Sequence, residues 1–318
     1  MGKIPVPPKG EAVQHTLKSP VVFTGVGLHS GAVARMVVNP ASADYGIWFR
    51  RTDLSGVDPL IPARWEAVIP SRLCTLLGNA AGATVSTVEH VMAALAGCGI
   101  HNALIEIDGA EVPILDGSAE QFVKAFLARG LREQTAPVRA VQILKAVEVR
   151  DGDAVARLDP SEMLEIDFRI DFADSAIGSQ AKLLSMANGA FVRELCNSRT
   201  FCRQQDVDEM RALGLALGGT LDNAVVIEGD RVLTPGGLRH EDEPVRHKML
   251  DALGDLSLAG GPILGRYTGI RAGHALTNRL LRALFARPDS FRVIECGAQA
   301  GQKLPGAGVV AADLPARA

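Results

Sequence analysis

Apolar and polar residues alternate in short bursts through the first third of the chain. VVFTGVGLH (21–29), ARMVVNP (34–40) and YGIWFRR (45–51) are β-branched or aromatic runs separated by Gly, Pro, Asn and Asp, a pattern that predicts strands joined by turns. The period then lengthens. In STVEHVMAALAG (86–97), Val91, Ala94 and Leu95 recur at helical spacing, with Ser86 or Thr87 placed to cap the start and Gly97 and Gly99 to end it. HNALIEID (101–108) predicts a strand, EVPILDGS a turn-rich crossing, and AEQFVKAFLARG (119–130) an amphipathic helix stopped by Gly130. Polar REQTAPVR, around Pro137, is the expected domain boundary.

The second half opens on strands again: VQILKAVEVRD, AVARLDP and LEIDFRIDF. Helices are expected around NGAFVRELCNS and DVDEMRALG, strands at LDNAVVIE and RVLT, and a long helix at HKMLDALGDLSLAG. GPILGRYTGIRAG reads as strand and turn, and GHALTNRLLRALFARPD as a closing helix. The first ten residues read as unstructured, and those after Pro288 as a loosely held Gly/Ala/Pro-rich tail with one strand at SFRVIE.

The halves echo each other. Counted from His90, a helix, a strand and a second helix reach Arg129 after 39 residues; from His247 the same order reaches Arg287 after 40. Met92 and Met249 each follow their histidine by two positions. The expected fold class is therefore α+β: two related two-layer units, each a mainly antiparallel sheet packed on two helices, with the active site at their interface. The expected domains are 1–137, 138–288 and a tail, 289–318.

Composition narrows the function classes. At 47% apolar and 22% charged, this is a globular chain with ample core. A net charge of −3 and only 4% aromatic residues give no footprint for nucleic acid. The longest apolar run, VMAALAGCGI, is too short to span a bilayer, so membrane contact is at most peripheral. The five scattered cysteines form no C-x-x-C pair, and MGKIPVPPKGEA lacks the apolar core of a secretion signal; a reduced, cytoplasmic protein is expected. Oligomeric state is left open.

Candidate chemistry lies in the two echoing helices. His247 and Asp251, at i and i+4, project from one helical face, and Asp255 extends that face by a turn. A surface ion pair is one reading; two ligands of a small cation is the other. With His90 as third ligand, the set is that of a catalytic zinc with an open position, and Glu89 is placed to take a proton from water there. For Glu89-His90 the competing reading is an exposed helix start with an acidic residue favouring the dipole. His274, at a glycine-led helix start, is a candidate general acid held charged by Asp255, and Thr200 in NSRTF a candidate oxyanion donor. GLALGGTLDNAVV lacks both the G-K-[ST] ending of a P-loop and dinucleotide spacing, which leaves loop packing or a backbone-lined channel. TGVGLHSG, with His29, is a hairpin turn or an active-site loop.

TGVGLHSG, STVEHVMAALAG, EVPILDGSA, RTF, LALGGTLDNAVV, VRHKMLDALGDL and GHAL, in this order from about His15 to Arg287, resemble the UDP-3-O-acyl-N-acetylglucosamine deacetylase family, zinc amidases of lipid A biosynthesis. The resemblance implies one Zn2+ on His90, His247 and Asp251, with Fe2+ suited to the same donors. It implies Glu89 as base, His274 as acid oriented by Asp255, and Lys248 and Thr200 at the oxyanion. The implied substrate is an acylated UDP-sugar: Arg271 at the diphosphate, Phe172 near the uracil, Phe201 and Ala216 on a passage for the acyl chain, and Leu28, Leu73 and Cys74 at its mouth. Four departures bear on those contacts: IDFADSAIG for IDF-x-HPAIG, RTFCR for RTFGF, DEPVRHK for DEFVRHK, and GIHN, with His101, for GIDN. Rivals are a zinc amidase acting on another acylated sugar and a non-catalytic nucleotide-sugar or lipid-binding protein of the same fold.

Overall fold

The computed structural model describes residues 12–315, so the expectation for the first ten residues lies outside the described ones. Four strands, Val21–Val26, Val33–Pro40, Ile47–Arg51 and Leu60–Pro62, lead into helix α1 (Glu89–Gly97), a fifth strand Ala103–Ile107 and helix α2 (Glu120–Arg129). The second half repeats the series. Val147–Asp151, Ala154–Pro160, Leu164–Asp171 and Ser179–Ser185 precede helix α4 (Glu243–Ser257), strand Ile263–Ile270 and helix α5 (His274–Phe285), with helix α3 (Gln204–Ala212) inserted before α4.

Pairing makes the repeat explicit. In each unit the fifth strand lies between the second, antiparallel to it, and the third, parallel to it. The first strand pairs with the second and the fourth with the third, both antiparallel. Alternation along the edges supports this: Val21, Phe23, Met36 and Val38 turn into the core while Val22 and Thr24 face out. The sheets pack on helices in one large core, with a small second cluster of Val138, Ala140, Leu264, Cys296 and Leu304, and α1 and α4, the equivalent helices of the two halves, pack on each other. The two-unit α+β expectation holds.

Five local features depart from the expectations or add to them. Helix α1 starts after Val88 with no side-chain cap, because Thr87 turns to positive φ and gives its hydroxyl to Glu111 at 3.0 Å. The polar boundary segment is a strand, Leu131–Pro137, paired antiparallel with Val13–Leu17. The NGAFVRELCNS helix is a single π-helical turn, Phe191–Leu195. Ser179–Ser185 was not expected as a strand; only part of one face is covered, which leaves weak alternation. The tail is not loosely held across its described part. Phe291–Glu295 adds antiparallel to Arg139–Ile143, Cys296 and Leu304 are buried, and Gly306 lies so close to Gly99 that a Cβ would stand 2.1 Å from its nitrogen.

Candidate metal centre and active site

Helix α1 brings His90, and α4 brings His247 and Asp251, to one point. All three are buried, with ligand atoms within 4.8 Å of one another. The Nε2 atoms of His90 and His247 lie 3.6 and 3.3 Å from Asp251 Oδ1. His247 Nδ1 faces the carbonyl of Ser198 at 3.0 Å, which can only accept, so Nδ1 carries the hydrogen and Nε2 presents a lone pair. Burial pushes the His247 imidazole down to about 4, which keeps it neutral. Asp251 Oδ1 has no hydrogen-bond partner among the described residues, while Lys248 Nζ holds Oδ2 at 2.8 Å. Electron pairs converging on a buried, unsatisfied oxygen are costly unless a cation sits among them. The residues fit a divalent metal.

Two titratable groups flank this point. Glu89 is buried; burial raises its carboxyl above the usual range, opposed by His274 and His90. Its Oε2 accepts the backbone N–H of Thr75 at 3.1 Å, and its Oε1 lies 3.7 Å from His274 Nε2. His274 Nδ1 meets Asp255 Oδ2 at 2.8 Å, and Thr75 gives its hydroxyl to the other Asp255 oxygen at 2.5 Å. Burial alone would lower the His274 pKa, but the charges of Asp255 and Glu89 push it up to about 9. The Glu89 carboxyl and the His274 imidazole thus face each other beside the three converging side chains.

The close seat of α1 on α4 depends on Gly254. A Cβ at that position would stand 2.1 Å from the carbonyl oxygen of Glu89, so only glycine lets the helices approach here.

The remaining expected residues fall in three groups. Phe201 packs edge-on against Phe172 at 5.5 Å and edge-on to the His247 ring at 6.5 Å, which brings Phe201 close to the cluster. Thr200 is held between Gly117, whose carbonyl accepts its N–H, and Val225, whose N–H its carbonyl accepts. Leu28 and Ala216 belong to two loops that lock together: Gly218 and Leu217 donate to the carbonyls of Leu28 and His29. Glu111 accepts the N–H groups of His29 and Ser30 from beneath, so TGVGLHSG is a turn pinned by a carboxylate. Cys74 is buried and Leu73 exposed, both just before Thr75. Arg271 is exposed, ion-paired with Asp171 and 3.7 Å from Asp153. Two of the departures meet: Asp174 takes the Gly229 N–H at 2.9 Å and lies 3.9 Å from Arg203, which forks onto Asp206.

Several supporting residues gave no sequence signal. Thr75 bridges Glu89 and Asp255 from a loop without periodicity. Arg199 and Glu243 form a buried pair, 8% and 1% exposed, in which Glu243 also accepts the Arg199 and Arg239 N–H groups. That pair ties the segment carrying Ser198 and Thr200 to the start of α4.

A repeated α+β fold with two imidazoles and a carboxylate at the seam, flanked by a buried carboxylate and an imidazolium, has the make-up of a metal-dependent hydrolase. Comparison with known proteins narrows this. Residues 14–286 match the family model of UDP-3-O-acyl N-acetylglycosamine deacetylase. A protein of Phenylobacterium zucineum named UDP-3-O-acyl-N-acetylglucosamine deacetylase is 55% identical over 280 residues, 88% of this chain and 96% of its own length. Proteins of the same name from an Anaeromyxobacter species and Shewanella frigidimarina are each 46% identical, covering 95% and 88% of this chain and 97% and 92% of their own lengths. The chain belongs to the UDP-3-O-acyl-N-acetylglucosamine deacetylase family.

Proposed function

We propose that this protein hydrolyses the N-acetyl group of a UDP-3-O-acyl-N-acetylglucosamine, releasing acetate in lipid A biosynthesis, with His90, His247 and Asp251 holding Zn2+. The observation that carries the site assignment is the convergence of His90 Nε2 and His247 Nε2 on an Asp251 oxygen that has no other described partner. Two imidazoles and a carboxylate also suit Fe2+. When bound, the cation supplies Lewis acidity, polarising the amide carbonyl and acidifying water to a pKa of about 7.

The chain's own groups carry the protons. Ionised Glu89 takes a proton from water, whose oxygen attacks the acetyl carbon. Thr200 donates its hydroxyl to the oxygen that becomes negative. His274, protonated at Nε2, gives that proton to the departing amine nitrogen as the C–N bond breaks. Asp255 accepts from His274 Nδ1–H, fixing the ring and favouring its charged form. Lys248 bonds Asp251 Oδ2, which would leave Oδ1 for the cation, and its ammonium is the second group proposed to assist the oxyanion. Phe172 and Arg271 are the contacts proposed for uracil and diphosphate. Phe201, Ala216, Leu28, Leu73 and Cys74 are those proposed for the acyl chain.

Among the described residues no helix is long and apolar enough to cross a membrane. All five cysteines are free thiols, which supports a reducing, cytoplasmic setting. Substrate preference is the test: kcat/KM for the acylated UDP-sugar should exceed that for N-acetylglucosamine by orders of magnitude. Equal values would contradict the nucleotide-sugar assignment and leave a broader amidase.

A further inference from the structure

His274 stands between two carboxylates, and one residue holds both of them. Its Nδ1 meets Asp255 Oδ2 at 2.8 Å, and its Nε2 lies 3.7 Å from Glu89 Oε1. The other oxygen of each carboxylate goes to Thr75. The Thr75 hydroxyl donates to Asp255 Oδ1 at 2.5 Å, and its backbone N–H donates to Glu89 Oε2 at 3.1 Å. Asp255 lies on α4, Glu89 opens α1 and His274 opens α5, whereas Thr75 belongs to none of these helices.

Thr75 has no substitute here. Among the described residues it is the sole hydrogen-bond donor to Glu89 and, with His274, one of two to Asp255. Both carboxylates are 4% exposed and Thr75 is 3% exposed, so solvent has little access to the oxygens it holds. The terminal torsion of an Asp or Glu side chain is broad and roughly two-fold. A hydrogen bond to one oxygen sets that torsion and aims the other. Because the amide and the hydroxyl belong to one residue, the two carboxylates are aimed from a common origin, with the imidazole between them.

We infer that Thr75 is a positioning residue for the proton transfers: its amide aims Glu89, and its hydroxyl aims Asp255 and through it the His274 ring. Thr75 moves no proton itself. The inference rests on the amide hydrolysis proposed above. It assigns the distance between base and acid to a residue whose own role is geometric, and misplacement of reacting groups by about 1 Å can cost on the order of a hundredfold in rate.

The hydroxyl can be removed alone. Thr75→Val keeps the β-branched shape and the amide that serves Glu89. The measurement is kcat and KM for acetate release from the acylated UDP-sugar by the Zn2+-loaded parent, Thr75→Val, Thr75→Ser, Asp255→Ala and Thr75→Val/Asp255→Ala. Thr75→Val should lower kcat by about ten- to hundredfold, the loss of one charge-assisted hydrogen bond, with KM within about twofold of the parent. Thr75→Ala, which adds no bulk beside Asp255, should do the same. Thr75→Ser should keep kcat within about threefold of the parent, and Thr75→Val should cost no more than about twofold once Asp255 is alanine. Parental kcat in Thr75→Val or Thr75→Ala, a Thr75→Ser variant as impaired as Thr75→Val, or an equal loss in the Asp255→Ala background would each overturn the inference.

An inactive parent would instead count against the proposed activity. The alignment is then read without turnover, from the His274 Nδ1 proton by NMR, assigned by its absence in His274→Ala. Its resonance should be sharp in the parent and in Thr75→Ser, and displaced or lost in Thr75→Val. The same resonance in the parent and in Thr75→Val would overturn the inference.

Discussion

His274 and Asp255 meet across α5 and α4 with Nδ1 and Oδ2 2.8 Å apart, which leaves His274 Nε2 directed at the metal point and at Glu89. Asp255 helps hold the imidazolium up to about pH 9, against burial, which lowers it from 6.5. The acid form is present below the folded pKa and lost as pH rises through it. Asp255→Asn should therefore move the alkaline limb of the pH–kcat/KM profile to lower pH and reduce turnover by about 10²–10⁴. An alkaline limb that stays in place would remove Asp255 from this role. The same raised pKa adds stability that is full below pH 6.5 and fades as pH rises through about 9.

Glu89→Gln keeps the side chain's size and its bond to Thr75 but cannot accept a proton from water. Metal content by emission spectroscopy should match the parent, while kcat falls by about 10²–10⁴. Near-parental kcat would show that another group serves as base.

Gly254→Ala separates helix propensity from helix approach. In an open helix the change would stabilise by roughly 1 kcal/mol. Here the added methyl meets the Glu89 carbonyl, so a loss of about 1–3 kcal/mol is expected, with reduced kcat as Glu89 moves. Urea denaturation decides the sign; a gain in stability would show that α1 and α4 do not approach so closely.

Glu243→Gln leaves the Arg199 guanidinium buried without a counter-charge, a loss of about 3–5 kcal/mol. The Arg199→Met/Glu243→Leu double variant should recover much of that stability, because it removes both charges. If thermal melts place the double variant below the single one, the pair does more than balance charge.

The legible parts of this chain were those written at short period. His247, Asp251 and Asp255 share one helical face, and the His90 helix is followed by the same elements as the His247 helix, so both the repeat and the three converging residues could be read along the sequence. What stayed hidden depends on partners far away. The strand Leu131–Pro137 is polar because its side chains stay exposed or half-buried, and its pairing with Val13–Leu17, more than a hundred residues earlier, leaves no local signal. Thr87 resembles a helix cap until Glu111 claims its hydroxyl. Thr75, Ser198, Arg199 and Glu243 act through hydrogen bonds to residues distant in sequence, which leave no periodic trace.

The central claim, that the buried His90, His247 and Asp251 cluster holds the metal for amide hydrolysis, is tested most directly by acetate release from the acylated UDP-sugar alongside measured metal content. The parent should lose acetate release on chelation and recover it with one equivalent of Zn2+, while His247→Ala binds less metal and is not restored by that addition. Full activity after complete metal removal, or parental metal content and turnover in His247→Ala, would contradict the account.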